Sequence, residues 1–263
     1  MDLRLQDKRV LVTGGSRGIG KAIAAVLAAE GCAVAIAARD EARLAAAASE
    51  LRATGARIVP LVVETGDDDS VRAMVAAAHD ALGGVDILVN NAARPGGAQA
   101  KLAAITTDVL FEELNVKVMG YLRCAREVAP FMVAQGWGRI INISGLAARA
   151  GGSIAGSVRN VSVAALTKVL ADELGPAGVN VTCVHPGATR TEATDAAVAR
   201  RVATSGSSTA QVEAEFAARS ALGRLITAEE VADVVAFLAS PRSVAITGDA
   251  VAAAGGMLGA IHY

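Results

Sequence analysis

Short β-branched runs alternate with longer Ala/Leu-rich stretches along most of the chain, and this alternation restricts the fold more than any other feature. The strand candidates are Arg9–Thr13, Ala33–Ala37, Arg57–Val63, Ile87–Asn90, Arg139–Ile143, Val179–Val184 and a last one near Asp249–Ala253. Apolar residues spaced by three and four predict helices over Gly18–Glu30, Glu41–Thr54, Ser70–Leu82, Thr107–Ala134, Ser157–Leu174 and Ala228–Ala239. Strand–helix–strand alternation demands right-handed crossovers, hence a parallel sheet covered by helices on both faces. Residues 1–263 suit one such α/β domain. Hydrophobic residues make up 53% of the chain and aromatics only 3%, so Ala, Val, Leu and Ile must fill the core.

Charge and cysteine usage remove several function classes. The formal charge is −1 and no basic stripe stands out, so nucleic acid and anionic membrane are not expected partners. Cys32, Cys124 and Cys183 form no CxxC pair, which argues against a zinc or disulfide framework and for a reducing compartment. Asp2, Arg4, Asp7, Lys8 and Arg9 precede the first apolar run, which is not a signal-peptide pattern. Later apolar stretches are broken by charges or glycines before membrane-spanning length. A cytoplasmic protein is expected.

The first strand runs directly into Thr13-Gly14-Gly15-Ser16-Arg17-Gly18-Ile19-Gly20, and a helix follows. Glycine permits a tight turn at Gly14, backbone approach to a pyrophosphate at Gly18, and close helix–strand packing at Gly20. The helix N-terminus offers free N–H groups and a partial positive charge to phosphates. Strand, glycine turn and helix together predict a Rossmann-type, doubly wound dinucleotide fold, with ligand beyond the carboxyl ends of the strands.

Here the chain resembles the short-chain dehydrogenase/reductase family, whose glycine pattern is TGxxxGxG, and the resemblance runs through nearly the whole length. Asn90-Asn91-Ala92-Ala93 is similar to that family's NNAG segment, with Ala93 in place of glycine. Asn115 is read as the family's helix asparagine, and Pro186-Gly187-Ala188-Thr189-Arg190-Thr191 resembles the PGxxxT segment that cradles nicotinamide. Leu222-Gly223-Arg224, Glu229-Glu230-Val231, Phe237-Leu238-Ala239-Ser240, Ile246-Thr247-Gly248 and Gly255-Gly256 follow the family's C-terminal order. The resemblance implies that Gly14, Ser16, Arg17, Gly18, Ile19, Gly20, Asn91, Ala92, Ala93, Pro186, Gly187, Thr189 and Thr191 hold a nicotinamide dinucleotide. Glu64 stands where the family has an aspartate against the adenine amino group.

The end of the second strand chooses between cofactors. Family members that use NAD carry an acid there, to bind the 2′-hydroxyl, and this chain has Ala38. Arg39 follows directly and Arg17 lies in the glycine loop, a pair suited to clamping a 2′-phosphate. NADP is therefore expected over NAD. The alternative makes both arginines surface residues, and Asp40 reads as a helix N-cap in either case.

The family's proton donor is missing. Relatives reduce a carbonyl with a tyrosine, a lysine four residues later on the same helix face, and a serine on the carbonyl oxygen. Counting back from Ala164-Ala165-Leu166-Thr167-Lys168 and from Pro186-Gly187 puts Gly156 at the tyrosine position and Asn160 at the lysine position. Asn160 retains hydrogen bonds for ribose hydroxyls but carries no charge. Gly145 falls at the serine position and Ser144 one residue early, either re-aimed for catalysis or bonded to local backbone. Substitute proton sources are His185, read alternatively as a packed strand residue; Arg159, read alternatively as solvent-facing; Ser157 beside it; and Tyr263 reaching a neighbouring subunit.

Three readings follow. The first is an NADP-dependent oxidoreductase of a small carbonyl or alcohol with an altered proton relay, in which Asn115 and Ser144 are the remaining catalytic candidates. The second is a catalytically silent NADP(H)-binding sensor or scaffold subunit. The third, redox-neutral chemistry as in the related halohydrin dehalogenases, fits poorly because those relatives keep the serine and tyrosine and alter the glycine loop. Residues 189–220, with Ser205-Gly206-Ser207-Ser208 at their centre, form either a hinged substrate-side lid or a surface excursion. The helices Thr107–Ala134 and Ser157–Leu174 resemble the family's dimer-forming pair, so a homodimer or homotetramer is expected.

Overall fold

A computed structural model describes residues 1–93 and 102–258. Tyr263 lies outside the described residues. In chain order the elements are β1 (Arg9–Thr13), α1 (Gly18–Ala29), β2 (Ala33–Ala38), α2 (Glu41–Arg52), β3 (Ile58–Val62), α3 (Asp68–Leu82) and β4 (Ile87–Asn90). Then come α4 (Thr107–Glu113), a π-helical turn (Leu114–Met119), α5 (Gly120–Ala134), β5 (Gly138–Ile143), α6 (Ile154–Leu174) and β6 (Val179–Pro186). The last stretch holds β7 (Thr189–Arg190), α7 (Glu192–Ser205), α8 (Thr209–Ala217), β8 (Ile226–Thr227), α9 (Ala228–Ala239) and β9 (Ala250–Ala253).

The main sheet has seven strands in the order β3-β2-β1-β4-β5-β6-β9, every pair parallel. Strand order reverses between β1 and β4, which pair through Val10–Ile87 to Val12–Val89, and a crevice opens beyond their carboxyl ends. Alternation along each strand divides the core. Val10 and Val12 face a layer built from α1, α2 and α9, with Ile23, Leu27, Leu44, Leu51, Val231 and Val235. Leu11 faces the opposite layer, where Val71, Val75, Val128, Met132 and Ala171 of α3, α5 and α6 pack. Among the described residues no helix is long and apolar enough to cross a membrane.

One element departs from the sequence expectation. The helix predicted over Thr107–Ala134 is interrupted by the π-helical turn. Such a turn admits an extra residue, which rotates the side chains after it by about 100° relative to an unbroken α-helix. Residues 189–220 hold β7, which pairs with β8 beyond the segment, and two capped helices on either side of the Ser/Gly run. Gly206 ends α7 at φ +70°, and Ser208 starts α8 by exchanging hydrogen bonds with Gln211. The Ser205-Gly206-Ser207-Ser208 run therefore serves as capping chemistry between helices.

Candidate functional site

The crevice at the carboxyl ends of β1, β4, β5 and β6 consists of two adjoining cavities of about 330 and about 730 Å3. They share Ile19, Asn91, Ala93, Thr191 and Ala193.

The smaller cavity is formed by the glycine turn. Gly14 sits at φ +67° with its N–H on the Ala37 carbonyl at 2.7 Å, and Gly18 sits at φ +51°, conformations that L side chains rarely adopt. A Cβ at Gly20 would overlap the Gly14 carbonyl, so the helix can start this close to the loop only with glycine there. Asn91 fastens β4 to the turn: its amide donates to the carbonyls of Thr13 at 3.2 Å and Gly14 at 3.1 Å. Thr13 Oγ1 accepts the N–H groups of Asn91 and Ala92 in return. Gly14, Ser16, Arg17, Gly18, Ile19, Gly20, Asn91, Ala92 and Ala93 all line this cavity, together with Arg39 and Arg43.

Asp40 caps α2 as expected, accepting the Arg43 N–H at 2.9 Å. Glu64 turns towards Arg39, with Nη1–Oε2 at 3.4 Å, and accepts the Gly66 N–H at 3.2 Å. At the start of α1 the Gly18 N–H donates to Glu192 Oε2 at 3.1 Å, so a carboxylate from α7 meets the positive end of the helix.

Ser144, Gly145, Asn160, Pro186, Gly187, Thr189 and Thr191 line the larger cavity, and α7 and α8 wall its far side through Ala197, Glu215 and Phe216. Asn115 does not reach it. Its amide donates to the Gly66 carbonyl at 3.3 Å, on the side of the π-helical turn facing β3 and α3. The side chain that enters the cavity from this turn is Lys117, which is 4% exposed. Its Nζ donates to the Ser144 carbonyl at 2.9 Å and to Asn160 Oδ1 at 2.9 Å. Burial first, and then the nearby positive charge of Arg159, lower its pKa from 10.5 to about 7.

The remaining candidates resolve as follows. Ser144 Oγ donates to the Asn160 carbonyl at 3.0 Å, the backbone-bonded alternative. Gly156 donates its N–H to Ser153 Oγ, the cap of α6, and has no side chain to offer the cavity. Tyr121 Oη donates to the buried Ile143 carbonyl at 2.9 Å, and burial holds its pKa well above the usual phenol range. His185 is buried in β6 with Nδ1 at 3.8 Å from Cys183 Sγ, a packed strand residue. Arg159 is not the solvent-facing arginine of one expectation: it lines the larger cavity and pairs with the buried Glu113. The three cysteines are buried free thiols.

Sequence reasoning passed over Lys117, Arg43 and Glu192. Lys117 had a readable signal, because it falls on the apolar stripe with Gly120, Tyr121, Cys124 and Val128 at helical spacing. A charge on a buried stripe needs a partner or a task. Arg43 follows Arg39 by four residues but straddles a helix start. Nothing local marks Glu192.

The family model described as enoyl-(acyl carrier protein) reductase matches residues 14–258. The chain belongs to the short-chain dehydrogenase/reductase family. This short-chain dehydrogenase/reductase is 38% identical over 253 residues to the short-chain reductase protein NovJ of Streptomyces niveus, covering 95% of this chain and 94% of that one. It is 33% identical to the 3-oxoacyl-[acyl-carrier-protein] reductase FabG of Aquifex aeolicus, covering 98% and 100% of the two chains. Among solved structures it superposes on L-sorbose reductase from Gluconobacter frateurii, complexed with NADPH and L-sorbose, with a TM-score of 0.94 at 29% identity, covering 99% and 100%. It superposes on actinorhodin polyketide ketoreductase with NADPH at a TM-score of 0.89 and 31% identity, covering 95% and 97%.

Proposed function

We propose that this short-chain dehydrogenase/reductase binds NADP(H) in the crevice and interconverts a small carbonyl compound and its alcohol in the larger cavity. The carrying observation is the convergence of Arg17, Arg39 and Arg43 on the smaller cavity, beside the glycine turn and with Ala38 where an acid would favour NAD. The residues fit a phosphorylated dinucleotide. The positive-φ glycines let the backbone pass close to a pyrophosphate, the start of α1 turns its positive end towards it, and the guanidinium groups suit a ribose 2′-phosphate. The NADPH complexes of L-sorbose reductase and actinorhodin ketoreductase support the same reading.

When bound, the dinucleotide supplies or accepts a hydride at the substrate's carbonyl carbon. The protein's own residues hold and orient. Gly14, Ser16, Arg17, Gly18, Ile19 and Gly20 bind the phosphates; Arg39 and Arg43 select the 2′-phosphate. Asn91, Ala92 and Ala93 support the middle of the dinucleotide, and Glu64 steadies Arg39. Pro186, Gly187, Thr189 and Thr191 form the nicotinamide wall, and Asn160 faces the ribose side. Segment 189–220 walls the larger cavity through Thr189, Thr191, Ala197, Glu215 and Phe216, the side on which a bound substrate would be screened from water. Exposed apolar residues on α6, namely Val158, Val161 and Val169, with Phe111 of α4, support association of copies through these helices.

A second reading, a catalytically silent NADP(H)-binding subunit, is favoured by Gly156 at the proton-donor position. NADPH and NADH titrations by nucleotide fluorescence, followed by NADPH consumption over a panel of small ketones and aldehydes, separate the two. Preferential NADPH binding with turnover supports the oxidoreductase. Firm binding with no turnover supports the silent subunit, and absence of binding to either nucleotide removes both.

A further inference from the structure

We infer that Lys117 is the proton donor of this active site, delivering a proton from Nζ to the oxygen of the reduced carbonyl. The inference rests on the oxidoreductase reading above and adds the group that the missing tyrosine leaves unassigned.

The geometry is specific. Lys117 comes from the π-helical turn between α4 and α5, not from α6, yet its ammonium ends against Asn160, the residue at the family's lysine position. The chain thus returns a cation to that place from a neighbouring helix, 43 residues away in sequence. An ammonium carries three protons. Two go to the Ser144 carbonyl and Asn160 Oδ1 at 2.9 Å each, and Lys117 lines the cavity that would hold the substrate. Both acceptors are neutral oxygens, so they aim the group without removing its proton. Ser144 and Asn160 are positioning residues in this arrangement.

The surroundings tune the amine. From α6, Arg159 repels the ammonium; from α4, Glu113 offsets it while holding Arg159; from β6, Cys183 faces it beside His185; on its own helix Tyr121 lies with its ring centroid 6.0 Å from Nζ. Burial dominates, and the amine gives up its proton near pH 7, where a general acid is most effective. The step balances. The carbonyl carbon takes the hydride with its electron pair, the oxygen takes the Nζ proton, and the neutral amine left behind is reprotonated from water.

The test uses the full-length protein with NADPH and the carbonyl panel between pH 5.5 and 9. The wild-type kcat is expected to fall about tenfold per pH unit above an apparent pKa near 7. Lys117→Gln should lose roughly 10²–10⁴-fold in kcat and lose that pH limb, with NADPH affinity and melting temperature retained. Arg159→Met should move the limb to higher pH, because removing a positive neighbour raises the amine's pKa, and a purely structural lysine would show no such shift. Turnover by Lys117→Gln within a few fold of wild type, or an unmoved limb in Arg159→Met, overturns the assignment and leaves the oxidoreductase reading intact. NADPH binding without turnover in the wild type overturns both.

Discussion

At the scale of single residues, the crevice is decided by where a few long charged side chains end. Arg39 and Arg43 are each about half exposed and are held only at 3.4 Å by Glu64 and Asp40, so they are free to re-aim at a phosphate. Hydrogen bonds to charged groups contribute about 1.5–3 kcal/mol each. Arg39→Ala and Arg43→Ala are each expected to weaken NADPH binding by roughly 10–100-fold while changing NADH binding little. Parallel fluorescence titrations with both nucleotides check this, and equal losses for the two would place these arginines elsewhere than the 2′-phosphate. Glu192 acts in the opposite sense. Its carboxylate takes the Gly18 N–H that a pyrophosphate would use, so it competes for that donor and repels the phosphates. Glu192→Ala is expected to tighten NADPH binding by roughly two- to fivefold, the worth of one charge at a helix end. Calorimetric Kd values for the two proteins measure it.

At the scale of elements, caps and turns set the helices that frame the site. Helix α9 begins with a reciprocal capping box: Thr227 Oγ1 accepts the Glu230 N–H, and Glu230 Oε2 accepts the Thr227 N–H at 2.8 Å. Arg224 grips the same carboxylate with two N–H groups, and its hydrogen bonds, ahead of the Thr227 backbone, hold the Glu230 pKa at about 2. The folded value lies below the ordinary 4.5, so this contribution is fully present above pH 4.5 and is lost as pH falls towards 2. Melting temperatures of Glu230→Gln should therefore fall less steeply than wild type between pH 4.5 and 2.5, with the two curves parallel above pH 5. Elements also show where sequence patterning was sufficient. β1, the glycine turn and α1 were legible because a period-2 run, a TGxxxGxG turn and a period-3.6 run follow one another without a gap. The π-helical turn was not legible, since apolar spacing of three and four over Thr107–Ala134 reads the same with or without one widened turn. Within that turn Asn115, a sequence candidate, bonds to Gly66 and Lys117 enters the cavity.

At the scale of the whole molecule, the exposed valines of α6 and Phe111 of α4 form an apolar face that the described residues of one copy leave uncovered. Val158, Val161 and Val169 recur at helical spacing on one side of α6. The expected particle is a homo-oligomer joined through this face. Val161→Asp combined with Val169→Asp should give a monomer by light scattering after size exclusion, with the NADPH site intact. An unchanged particle mass would put the interface elsewhere.

By itself the sequence determined the architecture: the alternation of strand and helix, a parallel sheet covered on both faces, and the glycine turn between the first strand and helix. Each is written in residues adjacent along the chain, where backbone sterics and hydrophobic periodicity act. The tertiary structure alone decided which side chains meet in the candidate site. Lys117 with Asn160 joins residues 43 apart, Arg159 with Glu113 residues 46 apart, and Glu192 with Gly18 residues 174 apart. Periodicity reports which face of an element is buried. It carries no record of which side chain on the neighbouring element that face will meet, and a buried charge takes its role from that meeting.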